Sequence, residues 1–142
     1  VAAQTAGLAL GAVIALRWHP RRALGLGVAG MASVALPVAV LAVQPTLALL
    51  VVAFGVGGVA IELFAIAWDQ SLQTQVPREA LSRVYSYDMV GSFVAVPLGE
   101  ILVGPLAHEL GAPPVLLGCA AVIVVATVFA VCSRSVWRVR TT

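Results

Sequence analysis

The amino-acid sequence predicts an all-α fold, a polytopic transmembrane helical bundle. Three observations carry that prediction. First, the 142 residues are 61% hydrophobic and 10% charged, with a mean hydropathy of +1.06. A soluble domain carries about 25% charged residues, so this chain has too little polar surface to cover a water-exposed exterior. Second, five apolar stretches are long enough, or nearly so, to cross a bilayer. A span needs about 20 residues at 1.5 Å rise each for a core of roughly 30 Å. Third, the eight basic residues are all Arg and fall at alternate turns. Arg17, Arg21 and Arg22 follow the first stretch, Arg78 and Arg83 the third, and Arg134, Arg138 and Arg140 the fifth. The other turns carry none, which is the pattern of the positive-inside rule.

The first span covers about residues 1–16. It opens on Val1 in apolar sequence with no charged segment before it, which does not read as a signal peptide. It reads as a piece of a longer protein. Gln4, Gly7 and Gly11 share one face, and Gly7 with Gly11 forms a small-xxx-small pair suited to close helix packing or, alternatively, to substrate contact. The second span covers 23–43, and Pro37 in its middle predicts a kink. Gln44, Pro45 and Thr46 form a tight turn, with Pro placed to start the next helix.

The third span covers 47–68. Gly55, Gly58, Glu62, Ala65 and Asp69 follow helical spacing on one face. Small residues there admit a neighbouring helix or a substrate, and a carboxylate in hydrocarbon is costly unless paired, hydrated or protonated. Glu62 and Gly58 are therefore candidates to line a proton or substrate pathway. The alternative is a carboxylate held by a neighbouring span for structural reasons. Residues 69–86 are the one long polar connection, expected as a cytoplasmic interfacial linker. Pro77 can start a short helix there, with Glu79 and Arg83 at i,i+4.

The fourth span covers 87–107. Glu100 shares a face with Phe93, Pro97, Gly104 and His108, and is a second pathway candidate or a structural, hydrogen-bonded acid. Asp88 at its start either interacts with the helix N-terminus or pairs with Arg17, Arg21 or Arg22 as a cytoplasmic gate. His108 and Glu109 lie in an outer turn as solvent-exposed residues. Pro113 and Pro114 open the fifth span, 113–131, which is almost uniformly apolar and suits a lipid-facing position. Cys119 and Cys132 both lie in that last stretch and read as small hydrophobes, not a disulfide.

The Arg-bearing turns place the start of the chain outside and its end in the cytoplasm. Trp18, Trp68 and Trp137 mark the cytoplasmic interface. The uninterrupted apolar runs exclude β-barrel strands. Net charge is +2 and lies in short loops, so the expected partner is the lipid bilayer and its headgroups, not nucleic acid. No phosphate loop, nucleophile–His pair or ligand cluster is present, so neither enzyme chemistry nor a cofactor or metal is expected. The absence of Lys and Asn suggests a GC-rich, bacterial genome.

The run Glu62-Leu63-Phe64-Ala65-Ile66-Ala67-Trp68-Asp69-Gln70-Ser71-Leu72-Gln73-Thr74-Gln75-Val76-Pro77 resembles the tenth helix and following loop of major facilitator superfamily exporters. Leu81-Ser82-Arg83-Val84-Tyr85-Ser86-Tyr87-Asp88, with Pro97-Leu98-Gly99 and Gly104-Pro105-Leu106-Ala107, resembles the eleventh. The bacterial drug and enterobactin-type exporters are the nearest group. Gln70 and Glu100 depart from that pattern, standing where Thr and a non-acidic residue are expected. The resemblance implies that the five spans are helices eight to twelve and that the N-terminal half is missing. It further implies that the helix with Glu62 lines a central cavity, that the spans with Gly7 and Glu100 flank it, and that the other two face lipid. The expected function is then part of a proton-coupled secondary transporter of the bacterial inner (plasma) membrane, exporting small amphipathic molecules by alternating access. The alternative is a five-helix integral membrane subunit with a structural or interaction role.

Overall fold

The computed structural model describes residues 1–17, 23–43 and 45–133. These residues form helices and short connections, with no strand among them. The helices are α1 (Ala2–Arg17), α2 (Ala23–Gly30), α3 (Ala35–Val43), α4 (Leu47–Gln75), α5 (Arg78–Leu110) and α6 (Ala112–Cys132), and a 3-10 turn (Met31–Val34) joins α2 to α3. Counting 23–43 as one element, four helices are long and apolar enough to cross a membrane. The fifth, α1, has 16 residues and reaches about 24 Å. The outer surface is studded with exposed Leu, Val and Phe, and no large side chain among the described residues is fully buried. That is the surface of a multi-pass bundle solvated by lipid, where apolar residues face outward as readily as inward.

The helices pack as a row. α4 lies between α1 on one side and the α2–α3 element on the other, α6 packs against the far side of α2–α3, and among the described helices α1 touches only α4. The register fixes directions. Gly7 of α1 abuts Gly55 and Gly58, and Gly11 abuts Val59 and Glu62, so α1 and α4 run parallel. Gly27 abuts Phe64, Gly30 faces Ala60, and Val34 and Pro37 face Gly57, so α2–α3 runs antiparallel to α4. This alternation is what consecutive crossings of one bilayer require. It brings the Arg17 end of α1 to the same end of the bundle as the corner bearing Arg78 and Arg83.

Pro37 does disturb the second span, but the break lies one turn earlier than the proline itself. A proline ring clashes with the carbonyl four residues back and cannot donate to it. Here that carbonyl belongs to Ser33, and the helix tightens to 3-10 geometry over Met31–Val34. The Ser33 hydroxyl donates to the Gly30 carbonyl at 2.7 Å. Buried hydroxyls elsewhere hide their protons in the same local way. Ser71 donates to Ala67 O at 2.7 Å, and Thr127 donates to Ile123 O at 2.8 Å. Such back-bonds let polar side chains sit inside spans at little cost.

The linker expected over 69–86 is not an irregular connection. α4 continues through Asp69–Gln75, and α5 begins at Arg78 and runs without interruption into the fourth span. Polar residues without Gly or Pro keep the helix going past the apolar stretch. Only Val76 and Pro77 leave it. Val76 adopts φ −103°, ψ 130°, the extended region to which a following proline restricts a residue. Pro77 therefore caps α5 from outside and is not its first helical residue. At the start of α4 the same shift occurs, with Thr46, not Pro45, in the N-cap position. Pro113 and Pro114 lie in the first turn of α6 as expected, where the missing N–H groups have no intrahelical partner. Cys119 and Cys132 are both free thiols.

Candidate functional site

The centre of the molecule is the middle of α4, and its glycines explain why. Gly55 and Gly58 lie on one face, and Gly57 lies on another. On the first face the backbone of α1 comes so near that a side chain at Gly7 would meet the Gly55 carbonyl, and one at Gly58 would meet the Gln4 carbonyl. On the second face a Cβ at Gly27 would lie 3.0 Å from Phe64 Cα. α4 is thus gripped from two sides by bare backbone. Attraction between apolar helices in lipid rests on such close approach, because lipid tails offer no hydrophobic driving force for association.

Glu62 sits on the first of these faces. α4 extends to Gln75, so Glu62 lies near the middle of the helix while staying in the last third of its apolar stretch, 47–68. It lies 13 residues from Gln75 and 15 from Leu47, or about 20 Å from either end. It is half-buried, with its stem against Gly11. Among the described residues no hydrogen bond or ion pair involves it. A carboxylate within an apolar span is costly unless paired, hydrated or protonated, and nothing in α1, α2 or α3 at that level offsets the cost with charge. Gly58 is buried against Gln4 and Gly7, so its face is filled by α1. Further along the same face, Ala65 and Asp69 are exposed. Phe64 and Trp68 stack one turn apart, with ring centroids 6.2 Å apart and planes 23° apart.

The other expected site residues do not join Glu62. Glu100 is exposed on α5, as are Phe93, Pro97, Gly104 and His108 from its face. A Cβ at Gly91, Gly99 or Gly104 would meet nothing within 4 Å. α5 touches α4 sparsely, whereas the resemblance implies that both border one central cavity. Asp88 is exposed and forms no ion pair with Arg17 among the described residues. Arg21 and Arg22 lie outside the described residues. Glu79 and Arg83 likewise form no ion pair.

One polar contact was not anticipated. Tyr85 donates its hydroxyl proton to Asp69 Oδ1 at 3.2 Å, tying α4 to α5 across the Val76–Pro77 corner. The two residues are 16 apart in sequence, so helical periodicity within either element gives no sign of it. The second glycine face of α4 was also legible only in part, since Gly57 falls off the face that contains the acids.

Comparison with protein-family models, with curated protein sequences and with solved structures yields no match.

Proposed function

We propose that this chain is part of a proton-coupled secondary transporter of the major facilitator type, which exports small amphipathic molecules across a bacterial inner membrane by alternating access. The observation that carries this reading is Glu62. It is an acid midway along the most enclosed helix, half-buried and without an ionic partner among the described residues. Ionisable groups so placed are expensive and are characteristic of ion and proton pathways. In this reading Glu62 carries the coupled proton as its exposure alternates between the two sides of the membrane. The residues that would gate the cytoplasmic side are Asp88 with Arg17, Arg21 and Arg22, paired in the closed state. The remaining cavity wall belongs to an N-terminal half encoded upstream.

The decisive test is made in the full-length protein. Glu62→Gln abolishes proton-driven efflux and leaves membrane insertion intact, and unchanged uphill efflux rejects the coupling role. A second reading, an integral membrane subunit with an interaction role, is favoured by the uncovered length of α5. Seven further apolar spans encoded upstream select the transporter, and a stop codon with a ribosome-binding site near Val1 selects the subunit. Orientation is tested by cysteine labelling in a Cys119→Ala/Cys132→Ala background. Positions 83 and 111 react from opposite aqueous sides, with 83 cytoplasmic; equal reaction from one side rejects the serpentine.

A further inference from the structure

From Ser86 to Leu106 every residue of α5 is exposed. For a lipid-facing helix that is ordinary, but one stripe of this helix is built of acceptors. Pro97 lies inside α5 and has no N–H to give the Phe93 carbonyl four residues back. Pro105, also inside the helix, withholds the same bond from the Ile101 carbonyl. Phe93, Pro97, Glu100 and Gly104 follow helical spacing on one side. Helical carbonyls point toward the C-terminal end and Cα–Cβ bonds lean toward the N-terminal end. The Phe93 carbonyl and the Glu100 side chain therefore lean toward each other across Pro97. In hydrocarbon no water serves such groups, so a donor has to come from protein.

This chain offers none of the right charge at that depth. Arg17, Arg78 and Arg83 stand at the other end of the bundle, and Arg83 is about 25 Å from Glu100 along the helix. The other five Arg lie outside the described residues and outside every apolar stretch, and the sequence has no Lys. His108 is on the same side of α5 but near its Leu110 end. A second copy inserted in the same direction sets Glu100 against Glu100, which brings repulsion and no cation. The exposed stretch is also as long as a bilayer core is thick, about 30 Å, which suits a helix better than a small ligand. Gly104, one turn from Glu100, leaves open space in which another backbone can approach.

We propose that the Phe93–Gly104 stripe of α5 is a docking surface for a partner's transmembrane helix that presents an Arg at the depth of Glu100. Guanidinium is planar and carries five donors, enough to serve the carboxylate and the Phe93 carbonyl together. The surface does not depend on the role of Glu62 and serves a transporter or a membrane subunit alike.

The test uses the 142-residue chain in vesicles of zwitterionic phosphatidylcholine, with a dye on Cys132 in a Cys119→Ala background. The probe is a labelled synthetic Leu–Ala helix of about 20 residues with one Arg near its centre, and energy transfer during lipid dilution reads its affinity. The Arg probe binds at least about tenfold more tightly than the same helix with Leu in place of Arg. Glu100→Gln, which keeps the size of the side chain and removes its charge, abolishes that preference. Pro97→Ala, which returns an N–H to the Phe93 carbonyl, lowers it about threefold. Glu109→Gln, which removes an acid beyond the apolar stretch, keeps it, and moving the Arg about 10 Å along the probe loses it. Glu100 is exposed, so its substitution leaves the packing of the chain unchanged. Equal binding of the two probes overturns the proposal. So does an Arg preference that survives Glu100→Gln, ignores Pro97→Ala, falls equally in Glu109→Gln or follows the Arg to any depth. Energy transfer between two labelled copies that disappears in Glu100→Gln assigns the stripe to a second copy and overturns it as well.

Discussion

α4 and α5 are neighbours in sequence and similar in length, at 29 and 33 residues, yet they occupy opposite situations. α4 is held along two faces by the backbones of α1 and the α2–α3 element. α5 has no buried residue and meets the rest of the chain near its ends. Both are apolar enough to span a membrane, α4 the more so. What separates them is where their glycines fall. Those of α4 meet other backbones, and those of α5 meet open space. In a membrane the apolar residue is indifferent between lipid and protein, so the small residue in contact is the informative one.

That contrast predicts its largest effect from moving the same substitution between the two helices. Gly58→Leu forces a side chain into the Gln4 carbonyl and destabilises the bundle by about 3 kcal/mol, read as unfolding in mixed detergent micelles. Gly99→Leu on α5 changes stability by no more than about 0.5 kcal/mol. Equal costs at the two positions break the comparison. A smaller effect is expected at the joint between α5 and α6. Gly111 has φ 86° and ψ 156°, a region essentially closed to residues with a Cβ. Gly111→Ala therefore costs about 2 kcal/mol by the same assay, and a neutral result shows that the joint does not constrain α5. The smallest effect belongs to the other joint. Tyr85→Phe removes the hydrogen bond to Asp69 near the surface, worth about 0.5 kcal/mol. It is read as amide exchange about twofold faster at Val76 and the last turn of α4, with the part of α4 before Trp68 unaffected.

The helical class, the number of apolar elements and the disturbance at Pro37 were all legible in the sequence, because each rests on local chemistry. The limits of α4 and α5 were not. A span estimate stops where apolar residues stop, at Trp68, whereas a helix stops where the backbone is prevented from continuing, here at Val76 before Pro77. That difference leaves Glu62 six residues from the end of its apolar stretch but 13 from the end of the helix. The face shared by Gly55, Gly58 and Glu62 could be read from spacing, and so could the Gly7–Gly11 face of α1. Their meeting could not, because periodicity describes one helix at a time. The isolation of Glu100 was hidden for the same reason, since a face with an acid and small residues looks alike whether or not another helix covers it.

The order of the row has a consequence for biosynthesis. Every described helix whose backbone grips α4 precedes it in the chain, and no described residue downstream of Gln75 packs along either glycine face. A ribosome that has just released Gln75 has already delivered both walls of the slot as well as the wedge that fills it. This part of the chain can pack before α5 and α6 leave the translocon, with the Glu62 stem already against α1.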